Sequence, residues 1–356
     1  MNKVSFVKLI LLLLISGFLS GCKPQFPSVE KAYVIPQTNT QYRFTEISSL
    51  ALSPDGQNLV LEDLTQVQLA TGSGSHPFNN YKFPPSEIIH SGPLAWSPDG
   101  QYLAATYFND DRIHPGANRR PIYIYDPENR TVFRANELAS GFQHWSPFNT
   151  GNYFAGNLST GDWGVFNITN AEVIPLDKSI DFREEKEFRA TDDYLWSKEL
   201  DIPVAVLSTL PIMDENGEKT DQRQAAIISF SNQVDYENPD YYVPIPTVPT
   251  NNLIDFIFDP TGTFILTLQL ECYNDIQIQC SKDGFFSTID PNNVSDSILT
   301  IVDWKTGEQK ELYRLSWIDS QNVVASLWSL SWSADGNTIL LGRKDSSPVV
   351  LRLSYP

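Results

Sequence analysis

Short apolar runs broken by compact polar turns recur along most of this chain, in the pattern of strands rather than helices. In Leu94-Ala95-Trp96-Ser97-Pro98-Asp99-Gly100-Gln101-Tyr102-Leu103-Ala104-Ala105 one apolar run enters a four-residue turn and a second run leaves it. Ser97 suits the first position of a type I turn, and Pro98 at the second already holds the required φ. Asp99 hydrogen-bonds locally, and Gly100 accepts the positive φ that follows. The stretch predicts a β-hairpin.

The same unit returns down the chain as Ser53-Pro54-Asp55-Gly56, as a degraded Ser146-Pro147-Phe148-Asn149-Thr150-Gly151, as Asp259-Pro260-Thr261-Gly262 and as Ser333-Ala334-Asp335-Gly336. Tyr194-Leu195-Trp196-Ser197 has the lead-in without the turn, and Pro203-Val204-Ala205-Val206-Leu207 follows as the next strand, which makes six units. An aromatic residue commonly precedes the turn: Trp96, Trp145, Trp196, Phe258 and Trp332. Starts are about 44 to 74 residues apart, a period with room for several strands per unit, which points to propeller blades rather than a solenoid. The second unit continues with strands at Gln101–Tyr107, Ile122–Asp126 and Thr131–Phe133, and the fifth with Ile298–Asp303, a Lys305-Thr306-Gly307 turn and Lys310–Tyr313. Short strands spaced by turn signals favour an all-β architecture, as does a 12% aromatic share.

On these residues the chain resembles the TolB-like and WD-repeat-like β-propellers of bacterial envelopes, whose blades open with Trp-Ser-Pro-Asp-Gly. The resemblance covers about residues 45–356 and implies a fold without naming a function. The expectation is a six-bladed β-propeller over residues 41–356, with seven blades as the alternative count. The last unit holds Thr338–Leu341 and Val349–Leu353 after its turn and then ends, one strand short. Tyr42-Arg43-Phe44-Thr45-Glu46-Ile47 has strand character and is expected to complete that blade, closing the ring with both termini and removing an open edge.

Met1–Lys8 carries two lysines, Leu9–Ile15 is continuously apolar, and small residues follow. That order is a secretory signal peptide over residues 1–21, its apolar part being too short to span a bilayer. Its end, Leu19-Ser20-Gly21-Cys22, resembles the lipobox of bacterial lipoproteins. The resemblance implies cleavage before Cys22 and acylation of that residue, whose two or three acyl chains suffice for stable anchoring. Residues 22–40 are then a lipidated tether, and Lys23, where inner-membrane retention commonly uses Asp, permits outer-membrane sorting in a Gram-negative cell. The localisation implied is the extracytoplasmic side of a bacterial cell envelope.

The formal net charge of −18 becomes −20 once residues 1–21, with Lys3 and Lys8 and no acid, are removed. Such a surface repels nucleic-acid phosphates, so no nucleic-acid partner is expected. Cys272 and Cys280 read as a disulfide in an exported protein, pinning the loop 272–297, with two reduced thiols as the alternative.

The search for catalytic chemistry finds no Gly-x-Ser-x-Gly elbow, with Gly72-Ser73-Gly74-Ser75 read as a flexible loop, and no phosphate-binding or dinucleotide fingerprint. The turn aspartates read as turn formers. His76, His90, His114 and His144 have no ligand spacing. Asp214-Glu215-Asn216-Gly217-Glu218 with Asp221 lacks the distal Glu and flanking helices of a calcium loop, and reads as a solvated acidic hairpin. Asn109–Arg112 with Arg119-Arg120 reads as a binding rim or a polar connection, and Asp181–Arg189 as a solvated run of mixed charge. No catalytic residue, metal or cofactor is expected. Two functions stand: a non-enzymatic module binding an envelope protein, or a glycan-active hydrolase or lyase with acidic residues at the central channel. A cluster of Asp, Glu and His at a channel mouth favours the second, and an apolar or hydroxyl-lined channel the first.

Overall fold

The computed structural model describes residues 25–35, 50–61, 65–75, 91–107, 122–126, 128–129, 131–135, 138–147, 153–158, 163–170, 172–175, 189–197, 202–216, 218–229, 242–249, 253–272, 294–316, 327–343 and 347–356. They form 24 strands and no helix, so among them no helix is long and apolar enough to cross a membrane.

In chain order, β1 is Ser28–Val34. The first sheet is β2 (Leu50–Leu52), β3 (Asn58–Leu61), β4 (Gln66–Gln68) and β5 (Gly74–Ser75). The second is β6 (Ser91–Trp96), β7 (Leu103–Tyr107), β8 (Ile122–Asp126) and β9 (Thr131–Ala135). The third is β10 (Leu138–Trp145), β11 (Tyr153–Leu158), β12 (Trp163–Asn167) and β13 (Glu172–Pro175). The fourth is β14 (Arg189–Ser197), β15 (Ile202–Met213), β16 (Lys219–Ser229) and β17 (Tyr242–Pro249). The fifth is β18 (Leu253–Phe258), β19 (Phe264–Cys272), β20 (Val294–Asp303) and β21 (Gln309–Ser316). The sixth holds β22 (Leu327–Trp332), β23 (Thr338–Arg343) and β24 (Val349–Ser354), with β1 as its fourth strand. The architecture is all-β and of the propeller type: antiparallel four-stranded meanders, one per sequence unit.

Each expected hairpin forms. Trp96 pairs with Leu103 across the Ser97–Gly100 turn, and Trp332 pairs with Ile339 across Ser333–Gly336. Gly56, Gly100, Gly262 and Gly336 have φ of 61°, 74°, 69° and 76°, where a Cβ is strained. Gly72-Ser73-Gly74-Ser75 is more than a loop: Gln68 N donates to Ser73 O at 2.9 Å, and Gly74 and Ser75 form β5 against Val67 and Gln66.

Apolar side chains from adjacent sheets fill the space between them. Ala51 and Val60 meet Leu94, Leu103 and Tyr125 between the first and second sheets, and Ala104 and Ile124 meet Trp145 and Phe166 between the second and third. Leu207 and Ile227 meet Phe256 and Ile265 between the fourth and fifth. In the sixth sheet the pleat sends Ile339, Leu341 and Leu351 toward Leu266 and Leu299 of the fifth. It sends Leu340 and Val350 toward Leu52, Leu59 and Val67 of the first. Both faces of these strands are covered, so their sequences are continuously apolar rather than alternating. The leading strands also lie side by side: β2 beside β6, β6 beside β10, then β14, β18 and β22, with β22 again beside β2.

The completing strand corrects the expectation. Ser28↔Ser354 through Val34↔Val349 pair β1 with β24, so the fourth strand of the sixth sheet is Ser28–Val34, inside the stretch read as tether. The segment Tyr42–Ile47 lies outside the described residues. The register of β1 shifts between Val29 and Lys31; this bulge interrupts the period-two signal, while Ile35 beyond the strand is buried.

Candidate functional site

The turns between the first and second strands converge at one end of the sheets. In three of them a serine hydroxyl joins both sides of the turn. Ser53 Oγ accepts from Asn58 N at 2.9 Å and donates to Asp55 Oδ1 at 2.6 Å, and that carboxylate accepts from Gln57 N at 3.0 Å. Ser97 Oγ accepts from Tyr102 N and donates to Asp99, and Ser333 Oγ accepts from Thr338 N and donates to Asp335. In the fifth sheet the roles are exchanged. Asp259 takes the first position and accepts from the backbone N–H groups of Thr261, Thr263 and Phe264 and from the Thr261 hydroxyl. The turn aspartates are turn formers, as expected.

Strand ends and turns from all six sheets line one open cavity of about 320 Å³. Its wall is made by Leu52, Trp96, Trp145, Trp196, Phe258 and Trp332 at the ends of the leading strands and by Pro54, Pro98, Pro147, Pro260 and Ala334 in the turns. Trp145 Nε1 donates to Ala95 O at 2.9 Å, tying the third sheet to the second, and its ring stacks on Tyr102 at 6.0 Å. Among the described residues Asp259 brings a carboxylate to the wall, and its oxygens accept hydrogen bonds from its own turn.

The sixth and first turns are also joined. Asp335 N donates to Pro54 O at 3.2 Å. Arg352 donates to Gly56 O at 2.7 Å and to the Thr338 hydroxyl. Between the fifth and sixth sheets the Asp255 carboxylate accepts from Phe256 N and Leu330 N, each at 2.9 Å. Burial pushes its pKa up to about 6, against the lowering effect of those two N–H groups. Tyr355 donates to Gly336 O at 2.9 Å. Burial, with Asp259 and Asp335 nearby, pushes its phenol up to about 12.

The other sequence candidates are not brought into this site. Asp214 Oδ1 accepts from Asn216 N and Glu218 N at 2.8 Å in the exposed β15–β16 hairpin, the acidic hairpin expected, and Asp221 lies in β16. His144 lies in β10 opposite Ala155. Cys272 ends β19, while Cys22, Cys280, His76, His90, His114, Asn109–Arg112, Arg119, Arg120 and Asp181–Phe188 lie outside the described residues. Among the described residues no three His, Cys, Asp or Glu side chains are grouped as a metal site. The cavity wall was visible in sequence only as an aromatic residue before most of the turns, with Leu52 in that place before the first.

No family model matches the chain, and no curated protein matches it. Among solved structures it is similar to an oligogalacturonate lyase in complex with manganese, at 14% identity and a TM-score of 0.47 over 86% of this chain and 76% of that one. It is also similar to TolB from Acinetobacter baumannii, at 15% identity and a TM-score of 0.43 over 85% of this chain, and it spans 62% of the length of that chain.

Proposed function

We propose that the six sheets are blades of one closed six-bladed ring, carried as a lipid-anchored, extracytoplasmic, non-enzymatic binding module of a bacterial envelope whose partner is a protein. Three features support closure: the side-by-side order of the leading strands, the apolar core shared by the sixth and first sheets, and the Arg352 and Asp335 bonds between their turns. The Leu19-Ser20-Gly21-Cys22 ending supports anchoring through Cys22. The observation that carries the binding reading is the cavity wall: an aromatic or a proline side chain from each sheet, with the Asp259 carboxylate held by its own backbone. The same reading keeps Cys272 and Cys280 as a disulfide and predicts that denatured, unreduced protein titrates no free thiol; two thiols per chain would remove the bridge.

The test is in-cell crosslinking of the tagged protein followed by mass spectrometry of what is covalently attached. One envelope protein recovered reproducibly, with crosslinks confined to one end of the ring, is the expected result. No attached protein beside a working control, together with cleavage of a glycan by the purified chain, would establish the enzymatic alternative.

A further inference from the structure

The polypeptide enters the body at one corner. The Phe26 ring lies 5.4 Å from that of Phe264 and packs on the core between the fifth and sixth sheets. Lys310 Nζ donates to Pro27 O at 2.9 Å, and Ser28 starts β1 opposite Ser354. All of these mark the turn end of the sheets. Phe264 follows the Asp259–Gly262 turn, Lys310 follows the turn closed by Gly307 N donating to Asp303 O, and Tyr355 reaches back to Gly336.

Resting on the reading of Cys22 as the lipid-bearing residue, only Lys23, Pro24 and Gln25 separate the lipid from the docked Phe26. Four fully extended steps at ~3.6 Å each hold the Cys22 Cα within about 14 Å of the Phe26 Cα. The nine residues of β19 run about 30 Å at ~3.3 Å per residue, so the tether is shorter than the sheets are long. The body cannot turn over to set its far end on the bilayer. We propose that the turn end of the ring, at the corner where Phe26 and Lys310 hold the entering chain, is a membrane-apposed surface. In the adjoining β20–β21 turn Lys305 Nζ sits 5.2 Å over the Trp304 ring, whose Nε1 donates to Gly262 O at 3.0 Å, so the exposed Lys305 ammonium is the part of that pair able to reach a headgroup layer. Lys305 and Lys310 offset Glu308 and Glu311 within this turn, while Asp303 and the aspartates of the blade turns keep the turn end acidic.

The ends of β16 and β17 joined by 230–241 also lie at the turn end, toward the bilayer. The described strand ends on either side of 36–49, 76–90, 108–121, 176–188, 273–293 and 317–326 lie at the opposite end of the sheets, turned away from the bilayer. The cavity mouth formed by the turns opens on the membrane-proximal side.

The experiment uses full-length lipidated protein in phosphatidylcholine vesicles containing an acceptor-labelled headgroup lipid. A donor dye is placed through azidophenylalanine at exposed Thr306 or exposed Glu215, one at each end of the sheets, with Glu308 and Asn216 as second positions. The N-terminal peptide of the same preparation is weighed by mass spectrometry. Acylated Cys22 with several-fold more energy transfer from Thr306 and Glu308 than from Glu215 and Asn216 is the expected result. Acylated Cys22 with equal or reversed transfer overturns the orientation and leaves the lipid anchor standing. Unacylated Cys22 overturns both.

Discussion

A serine in the first, second and sixth turns accepts a backbone N–H and donates to an aspartate two residues on. Asp259 and Thr261 achieve the same closure with the hydroxyl and carboxylate exchanged, so the fifth turn keeps its shape with a different sequence. The glycines of these turns share a backbone conformation but not an environment, which makes them separable by mutation. Gly100→Ala meets only Pro54 atoms, the nearest at 3.8 Å, and should cost the conformational strain alone, about 1–2 kcal/mol. At Gly56 a Cβ would overlap the Thr338 hydroxyl and press on Arg352, so Gly56→Ala should lose about 1–3 kcal/mol more; equal losses in urea unfolding would contradict the close approach. Asp255 gives a pH signature. Its folded pKa of about 6 exceeds the unfolded carboxylate value of ~3.9, so ionising it costs stability as pH rises from about 4 through 6, by up to about 3 kcal/mol. Asp255→Asn removes that dependence, and its stability relative to the parent should improve between pH 4 and pH 7. A pH-independent difference would mean that the carboxyl is not desolvated.

Among the elements, those carrying the repeated turn were legible from sequence, because the turn residues and the flanking apolar runs specify the same hairpin. Even the fourth sheet, which lacks the turn, was readable from Tyr194–Ser197 and Pro203–Leu207, now the end of β14 and the body of β15. β1 was not legible. Its exposure alternates weakly, with Val29 and Tyr33 half-buried between exposed neighbours, its register slips once, and Pro24 and Pro27 before it signal a linker. An edge strand with Glu30 and Lys31 facing water is polar because that protects an edge. Removing residues 23–35 exposes the ground covered by Val29, Tyr33 and Ile35, about 4–6 kcal/mol of apolar contact. The melting temperature should fall by roughly 10 °C or more. An unchanged melting curve would show that β1 contributes nothing to the sixth sheet.

The whole molecule holds what no single unit could reveal. Trp96, Trp145, Trp196, Phe258 and Trp332 are separated by long stretches of chain, and each alone reads as a residue packed before a turn. They become one wall only when six sheets bring their leading strands together, and the sequence pattern of one blade contains no term for its neighbours. The sixth sheet has a further consequence, in the time course of folding. β1 is synthesised before the other described strands, and its partner, β24, after them. Until Ser354 is made, β1 has no ladder to join, and joining it closes nearly the whole chain into a loop. Loop entropy grows slowly with length, by about 0.6 kcal/mol per doubling, so this closure is affordable at equilibrium but slow to find. The body can gather from its middle sheets outward, while the strand made first is seated last.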